Sequence, residues 1–455
     1  MNVIINGFMH EKQEEILHFF ENHPSVKKCC IISDRNYITQ KTNTDLFIVQ
    51  DIINGNYPIQ EYLTPSQIRF INENFFILME MMNRFYVYLH KEYGYEQKKK
   101  IIYNHFSFWM DYIKKNEITH YISSNVPHDV YDEIILLSMK YYKQDKILFF
   151  LQSQFRDMII PMKNVEEQNP QINSYYLKEI NNKVILSKLS EIEWNAEINA
   201  EIPFYMKKNS KYSIFIKKLK KIKKISSRKL FLNIKYWQDN KKLENEYNKL
   251  AITPDLSNNY IYFPLHYQPE MTSCILGTLF VNQYLIIKLL DSLLPSNWFL
   301  YVKEHPKQEF CNRYLGYYND LNKSTRRTIF VKKSFPSAKL INNCKSVVTI
   351  SGTAGWEALF QKKTVLLFGN NFYQSGPGVY QIKNMETLID SINKIINKDF
   401  IYNENNLKAF LNSIEKNSIH GFVDSVYCNN SSFSFEESNK NLIEYISNWI
   451  SQNEN

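Results

Sequence analysis

The side chains best suited to chemistry fall in three stretches of the C-terminal half: Tyr262-Phe-Pro-Leu-His-Tyr-Gln-Pro-Glu270, Tyr301-Val-Lys-Glu-His-Pro306 and Thr349-Ile-Ser-Gly-Thr-Ala-Gly-Trp-Glu-Ala358. Each places polar residues directly after an apolar run. In Ser351-Gly352-Thr353-Ala354-Gly355 the small residues let backbone N–H groups and two hydroxyls approach a phosphate where a strand gives way to a helix. The segment lacks the Gly-Lys-Ser/Thr ending of a Walker A loop and the full G-x-G-x-x-G pattern, which weakens ATPase and dehydrogenase readings. Glu357 follows Thr353 by one helical turn, so its carboxylate is expected to face the same crevice and accept from ribose hydroxyls.

In the second stretch, strand alternation is expected to send Lys303 and His305 to one side and Glu304 to the other, with Pro306 locking the backbone. That would pair a lysine and a histidine toward an anionic ligand. In the first stretch, His266, Gln268 and Glu270 share a loop stiffened by Pro264 and Pro269. Glu270 and His266 are candidates for acid–base or nucleophilic work, and His305 joins them as a catalytic candidate. A hydrogen-bonded loop without chemistry is the competing reading of these residues. A metal held by His266, Glu270 and His305 is disfavoured, because no compact spacing such as H-E-x-x-H occurs. In the N-terminal part Asp34, Asn125 and His128 lie at apparent strand ends and are candidates for the facing wall of a cleft, while Asp129 equally suits a helix cap.

These residues need elements to hold them. Strand-like and helix-like patterns alternate from Tyr260 onward, as in a parallel, doubly wound sheet, and the first ~160 residues read as α/β as well. With 455 residues, two domains are the natural expectation. The boundaries read as residues 1–162 for an N-terminal Rossmann-like, acceptor-side domain, 163–255 for a helical lysine-rich linker, and 256–455 for a C-terminal Rossmann-like nucleotide-binding domain with closing helices. Within the linker, Lys217-Lys-Leu-Lys-Lys-Ile-Lys-Lys224 is the most basic run. It reads as a solvated helix face or as a peripheral contact with anionic membrane.

Hydrophobic residues make up 44% and charged residues 22%, an ordinary globular balance. The formal charge of +9 favours acidic small partners and is too modest for this length to argue for nucleic acid. The six cysteines contain no CxxC pair, so neither a zinc site nor a disulfide framework is indicated. The short apolar N-terminus does not suit a signal peptide, and no apolar run reaches the ~20 residues of a spanning helix. The expected location is cytoplasmic, with room for the inner face of the membrane.

The strings Pro-Leu-His-Tyr-Gln-Pro-Glu270, Val-Lys-Glu-His-Pro306, Ser-Gly-Thr-Ala-Gly-Trp-Glu-Ala358 and Val365-Leu-Leu-Phe-Gly369 with Tyr373 resemble the bacterial capsule polysaccharide biosynthesis family. That family contains Kdo transferases and related enzymes. The resemblance is clearest over residues 260–378 and implies a GT-B-like fold with a cleft between two Rossmann-type domains. It implies a glycosyltransferase moving an ulosonic acid, Kdo or a sialic-acid-like sugar, from a CMP-sugar to a glycan or glycolipid acceptor, without a metal or other cofactor. His305 and Pro306 would hold the donor phosphate with Ser351, Gly352 and Thr353. Lys303, Gln268, Glu357 and Tyr373 complete the expected nucleotide-sugar site. The Asp/Glu-Asp/Glu-Gly base motif of sialyltransferases is not recognisable. Alternatives are a UDP- or CDP-dependent transferase or epimerase of the same architecture, and a non-catalytic glycan-assembly protein.

Overall fold

The computed structural model describes residues 1–34, 41–57, 62–89, 93–164, 166, 172–173, 183–198, 227–268 and 270–453. The basic run Lys217 to Lys224 and Pro269 lie outside the described residues.

Two sheets organise the chain. The first contains β1 (Asn2–Asn6), β2 (Lys28–Ser33), β3 (Thr44–Ile48), β4 (His120–Ser123), β5 (Lys146–Gln152), β6 (Met158–Met162) and β13 (Ile419–His420), in the order β13-β6-β5-β4-β1-β2-β3. Strands β1 to β5 are parallel, whereas β6 runs antiparallel to β5 and β13 antiparallel to β6. The second contains β7 (Asn259–Pro264), β8 (Trp298–Lys303), β9 (Thr328–Phe330), β10 (Ser346–Thr349), β11 (Thr364–Leu367) and β12 (Val379–Gln381), all parallel, in the order β12-β11-β10-β7-β8-β9. In each sheet the first strand lies centrally and the order reverses beside it, the doubly wound Rossmann pattern. The expected pair of Rossmann-type domains in a GT-B-like arrangement is therefore present.

The central strands form because they are near-continuous apolar runs covered on both faces, whereas β3 and β12 are only half-buried. Val3, Ile4 and Ile5 in the first sheet, and Tyr260, Ile261, Tyr262 and Phe263 in the second, are fully buried. The aromatic-rich composition fills the interior at low polar cost where buried hydroxyls such as those of Tyr260 and Tyr247 find partners. Tyr260 stacks on Tyr301 and donates to the Leu340 carbonyl, and Tyr247 donates to the Val331 carbonyl.

Two features of the architecture have no counterpart in local sequence patterns. The chain returns to the first sheet at its end: β13 pairs with β6, and the Phe435–Gln452 helix places Leu442, Ile446 and Ile450 in the same core as Val3, Ile5 and Phe20. The Lys188–Ile198 helix also packs into the molecule, with Glu193 buried. Glu193 accepts from the indole N–H of Trp356 at 3.2 Å and from the backbone N–H of Arg156, on the β5–β6 connection, at 3.3 Å. One carboxyl group thus joins the edge of the first sheet to a helix of the second.

Candidate functional site

In an open parallel sheet, ligands bind beyond the carboxyl ends of the strands where the order reverses. In the second sheet that place lies between β7 and β10, and two of the three polar stretches end there. The loop after β7 carries His266, and the turn after β10 carries Ser351 and Gly352 before the Thr353–Phe360 helix.

The crossing is built around Thr349, which sequence reasoning passed over. Its hydroxyl accepts from the Gly352 N–H at 2.8 Å and lies 3.0 Å from His266 Nε2, which also accepts from the Ile350 N–H at 3.0 Å. With Nε2 accepting, the neutral imidazole carries its proton on Nδ1. Burial, then the nearby His305 and Arg313, push His266 down to about 3. Its Nε2 lone pair is committed to the turn, so this nitrogen braces the backbone after β10 and is not free to accept a substrate proton.

Close packing explains the glycines of the turn. A Cβ on Gly352 would lie 2.9 Å from Thr349 Oγ1 and 3.0 Å from the His266 ring, and one on Gly355 would lie 2.4 Å from Tyr373 Oη. Tyr373 is fully buried and donates its hydroxyl to the Gly352 carbonyl, while Asn371 Nδ2 donates to the Ser351 carbonyl at 2.6 Å. Tyr373 therefore supports the turn from beneath. The Thr353–Phe360 helix starts at this turn, and the positive end of its dipole is directed out of the N-terminus.

The expected pairing of Lys303 with His305 gives way to two different sets of partners. Because β8 ends at Lys303, alternation does not govern the next two residues. Lys303 Nζ donates to the Phe335 carbonyl at 2.6 Å and the Ser337 hydroxyl at 2.8 Å, and faces Glu357 electrostatically. Burial lowers this amine to about 8, with Glu357 opposing the shift. His305 instead lies beside Tyr267 and is influenced by Lys307 and Lys333. Its Nδ1 accepts from the Lys307 N–H at 3.1 Å, leaving Nε2 to carry the proton of the neutral ring. Burial holds His305 down to about 4, against the pull of Glu304. It is thus a neutral N–H donor at physiological pH.

Glu304 turns inward. Its carboxylate takes Arg313 at 3.2 and 3.3 Å, the Tyr318 hydroxyl at 2.5 Å and the His305 N–H at 2.8 Å. The same guanidinium donates to Gln268 Oε1 at 2.6 Å and the His266 carbonyl at 3.3 Å. Gln268 Nε2 donates in turn to the Val281 carbonyl at 2.9 Å. Arg313 accordingly ties the loop after β7 to the loop after β8, with both ends of the Gln268 amide engaged within the protein. No local motif marks Arg313, which stands nine residues beyond Glu304.

Glu357 lies where its spacing predicts, hydrogen-bonded to Thr353 and near Lys303. Burial and then the Glu197 charge push it up to about 8, with Thr353 and Lys303 opposing. Glu197, on the Lys188–Ile198 helix, is raised to about 7 by burial, with Arg156 opposing. This second carboxyl group comes from a stretch that reads as linker in the sequence. Glu270 is exposed, and its charge acts on Tyr427 of the returning C-terminal segment. Pro306 follows His305 in the same loop.

Asp34, Asn125 and His128 sit beyond β2 and β4 of the first sheet. His128 Nδ1 lies 2.7 Å from the Val126 carbonyl, and Asn125 Oδ1 accepts from the Val126 N–H at 2.9 Å. Asp129 is the N-cap of the Val130–Tyr141 helix, and Asp132 accepts from the N–H groups of His128 and Asp129. Among the described residues, no group of three or more His, Cys, Asp or Glu side chains is placed to hold a metal ion, and no helix is long and apolar enough to cross a membrane.

Residues 195–391 match the family model described as capsule polysaccharide biosynthesis protein, a span that contains all three polar stretches. No curated protein matches the chain in sequence. Among solved structures, the chain is similar to a β-Kdo 2,7 transferase, KpsC, of Thermosulfurimonas dismutans at 12% identity, covering 84% of this chain and 97% of that one with a TM-score of 0.33. A β-Kdo 2,4 transferase of the same organism gives 13% identity over 65% of this chain and 79% of that one, with a TM-score of 0.30. The UDP-GlcNAc 2-epimerase of Methanocaldococcus jannaschii gives 13% identity over 91% and 98%, with a TM-score of 0.28. At these values the fold assignment rests on the sheet order.

Proposed function

We propose that this chain is a nucleotide-sugar-dependent enzyme of surface-polysaccharide synthesis. The observation that carries the reading is the crossing of β7 and β10, where a braced Ser351-Gly352-Thr353 turn opens a helix beside Lys303. Its backbone N–H groups and the helix dipole suit a phosphate, and the family match over residues 195–391 supports a role in glycan assembly. In this reading Ser351, Thr353 and Lys303 stabilise the leaving phosphate, Gly352 lets the turn pack closely on Thr349 and His266, and Glu357 engages the ribose. Gln268 and Tyr373 contribute by holding the loops that present these groups, and Pro306 fixes the His305 backbone.

For the donor, a UDP- or CDP-sugar handled by a transferase or epimerase is preferred to a CMP-ulosonic acid. Lys303 with the helix N-terminus forms one locus, and His305 beside Lys333 forms another, which suits two phosphates better than one. Glu270 is proposed as the carboxylate near the reacting carbon, and Asp34, Asn125 and His128 as the acceptor side.

Calorimetry and thermal shift with CMP, CDP, UDP and GDP test this directly, since a ligand bound to the folded state raises its apparent stability. A preference for UDP or CDP, weakened in Lys303→Met and His305→Ala, is the expected result. Selective CMP binding would restore the ulosonic acid reading, and binding of none of the four would overturn the enzyme assignment. Glu270→Gln is expected to abolish turnover while leaving nucleotide binding intact; retained turnover removes Glu270 from the chemistry.

A further inference from the structure

Over residues 234–250 the Ser227–Leu250 helix packs through one face. Leu243 and Tyr247 are fully buried, and Glu246 accepts the backbone N–H groups of Tyr318 and Asn319. The opposite face is open to solvent and has an unusual make-up. Ile234 is 48% and Trp237 62% exposed, and Lys235, Lys241, Lys242 and Lys249 are exposed alongside them. The acidic residues Asp239, Glu244 and Glu246 lie on the half-buried flanks. The exposed positions thus carry four lysines, of which Lys241 pairs with Glu244 on the flank at 3.1 Å, and no carboxylate, with a large aromatic and an aliphatic side chain toward one end.

We propose that this face docks on an anionic lipid bilayer. A solvated helix face has no use for an exposed tryptophan and isoleucine one turn apart. A membrane interface accommodates both, because an indole sits at headgroup depth and an aliphatic side chain enters the acyl boundary. The lysines then meet the anionic headgroups, each contributing about fivefold in partitioning near such a surface at low ionic strength. A soluble polyanion would satisfy the lysines but leave Ile234 in water, so the bilayer is the better match. The inference is independent of which nucleotide sugar the cleft takes.

The full chain is to be sedimented with vesicles of phosphatidylglycerol and phosphatidylcholine in equal amounts, and with pure phosphatidylcholine, at low and high salt. Binding to the anionic vesicles that falls with salt is expected. Ile234→Glu/Trp237→Glu should cut the bound fraction at least ~10-fold without shifting the melting temperature, because both residues are exposed. Lys241→Glu/Lys242→Glu should do the same at low salt. Unchanged binding in both double variants would overturn the proposal, as would absence of vesicle binding. Binding to dextran sulfate but not to vesicles would overturn it in favour of a glycan partner.

Discussion

At the scale of single residues, the site is held by side chains that meet each other before any ligand arrives. Arg313 is the clearest case. Its charge is buried against Glu304, and removing one member of such a pair leaves the other uncompensated. Arg313→Met is expected to cost about 3–5 kcal/mol in chemical denaturation, and Arg313→Met/Glu304→Gln less than that, since no lone charge remains. Gly355→Ala forces a Cβ to within 2.4 Å of Tyr373 Oη, so it should destabilise the protein, with partial recovery in Gly355→Ala/Tyr373→Phe. Melting temperatures of the two Gly355 variants check this.

Legibility differed from residue to residue. The turn from Ser351 to Thr353 and the placing of Glu357 one helical turn beyond Thr353 were readable because both are local, set by strand end and helix pitch. His266 and Gln268 were readable as polar residues at the right loop but not as braces, because their partners stand 83 and 45 residues away. Thr349 and Arg313 were invisible for the same reason.

At the scale of elements, the Lys188–Ile198 helix brings Glu193 and Glu197 to the Thr353–Phe360 helix. Both carboxyls, and Glu357, are pushed up by burial, to about 8, about 7 and about 8. Carboxyls whose folded pKa lies above the unfolded value bind more protons in the folded state. Their contribution is fully present below the ordinary carboxylate value of about 4.5 and is lost as pH rises toward 8. The melting temperature should therefore fall between pH 5 and pH 8 by more in the natural protein than in Glu193→Gln, which keeps an acceptor for Trp356. An equal fall in both would show that Glu193 does not titrate in this window. The helix itself was legible only as part of a linker, because its buried face is formed by groups far away in the chain.

At the scale of the whole molecule, the last 37 residues, 419–455, complete the first sheet and not the second. Ending the chain at Ser418 removes β13 and the Phe435–Gln452 helix and uncovers Val3, Ile5 and Phe20. Loss of that apolar cover should abolish cooperative unfolding of the N-terminal half, read by limited proteolysis, even though no truncated residue belongs to β1–β6.

The sequence by itself determined the central strands, the helix after Gly352, the two-domain α/β class and the three polar stretches, but not β6, β12 or β13, because apolar periodicity and strand-end chemistry are properties of a few consecutive residues. Only the tertiary structure decided which stretches cross at β7 and β10, that Lys303 and His305 take different partners, that Arg313 binds two loops together, and that the chain's end returns to its beginning. Those outcomes depend on sheet order and on contacts between residues distant in sequence, which no local pattern encodes.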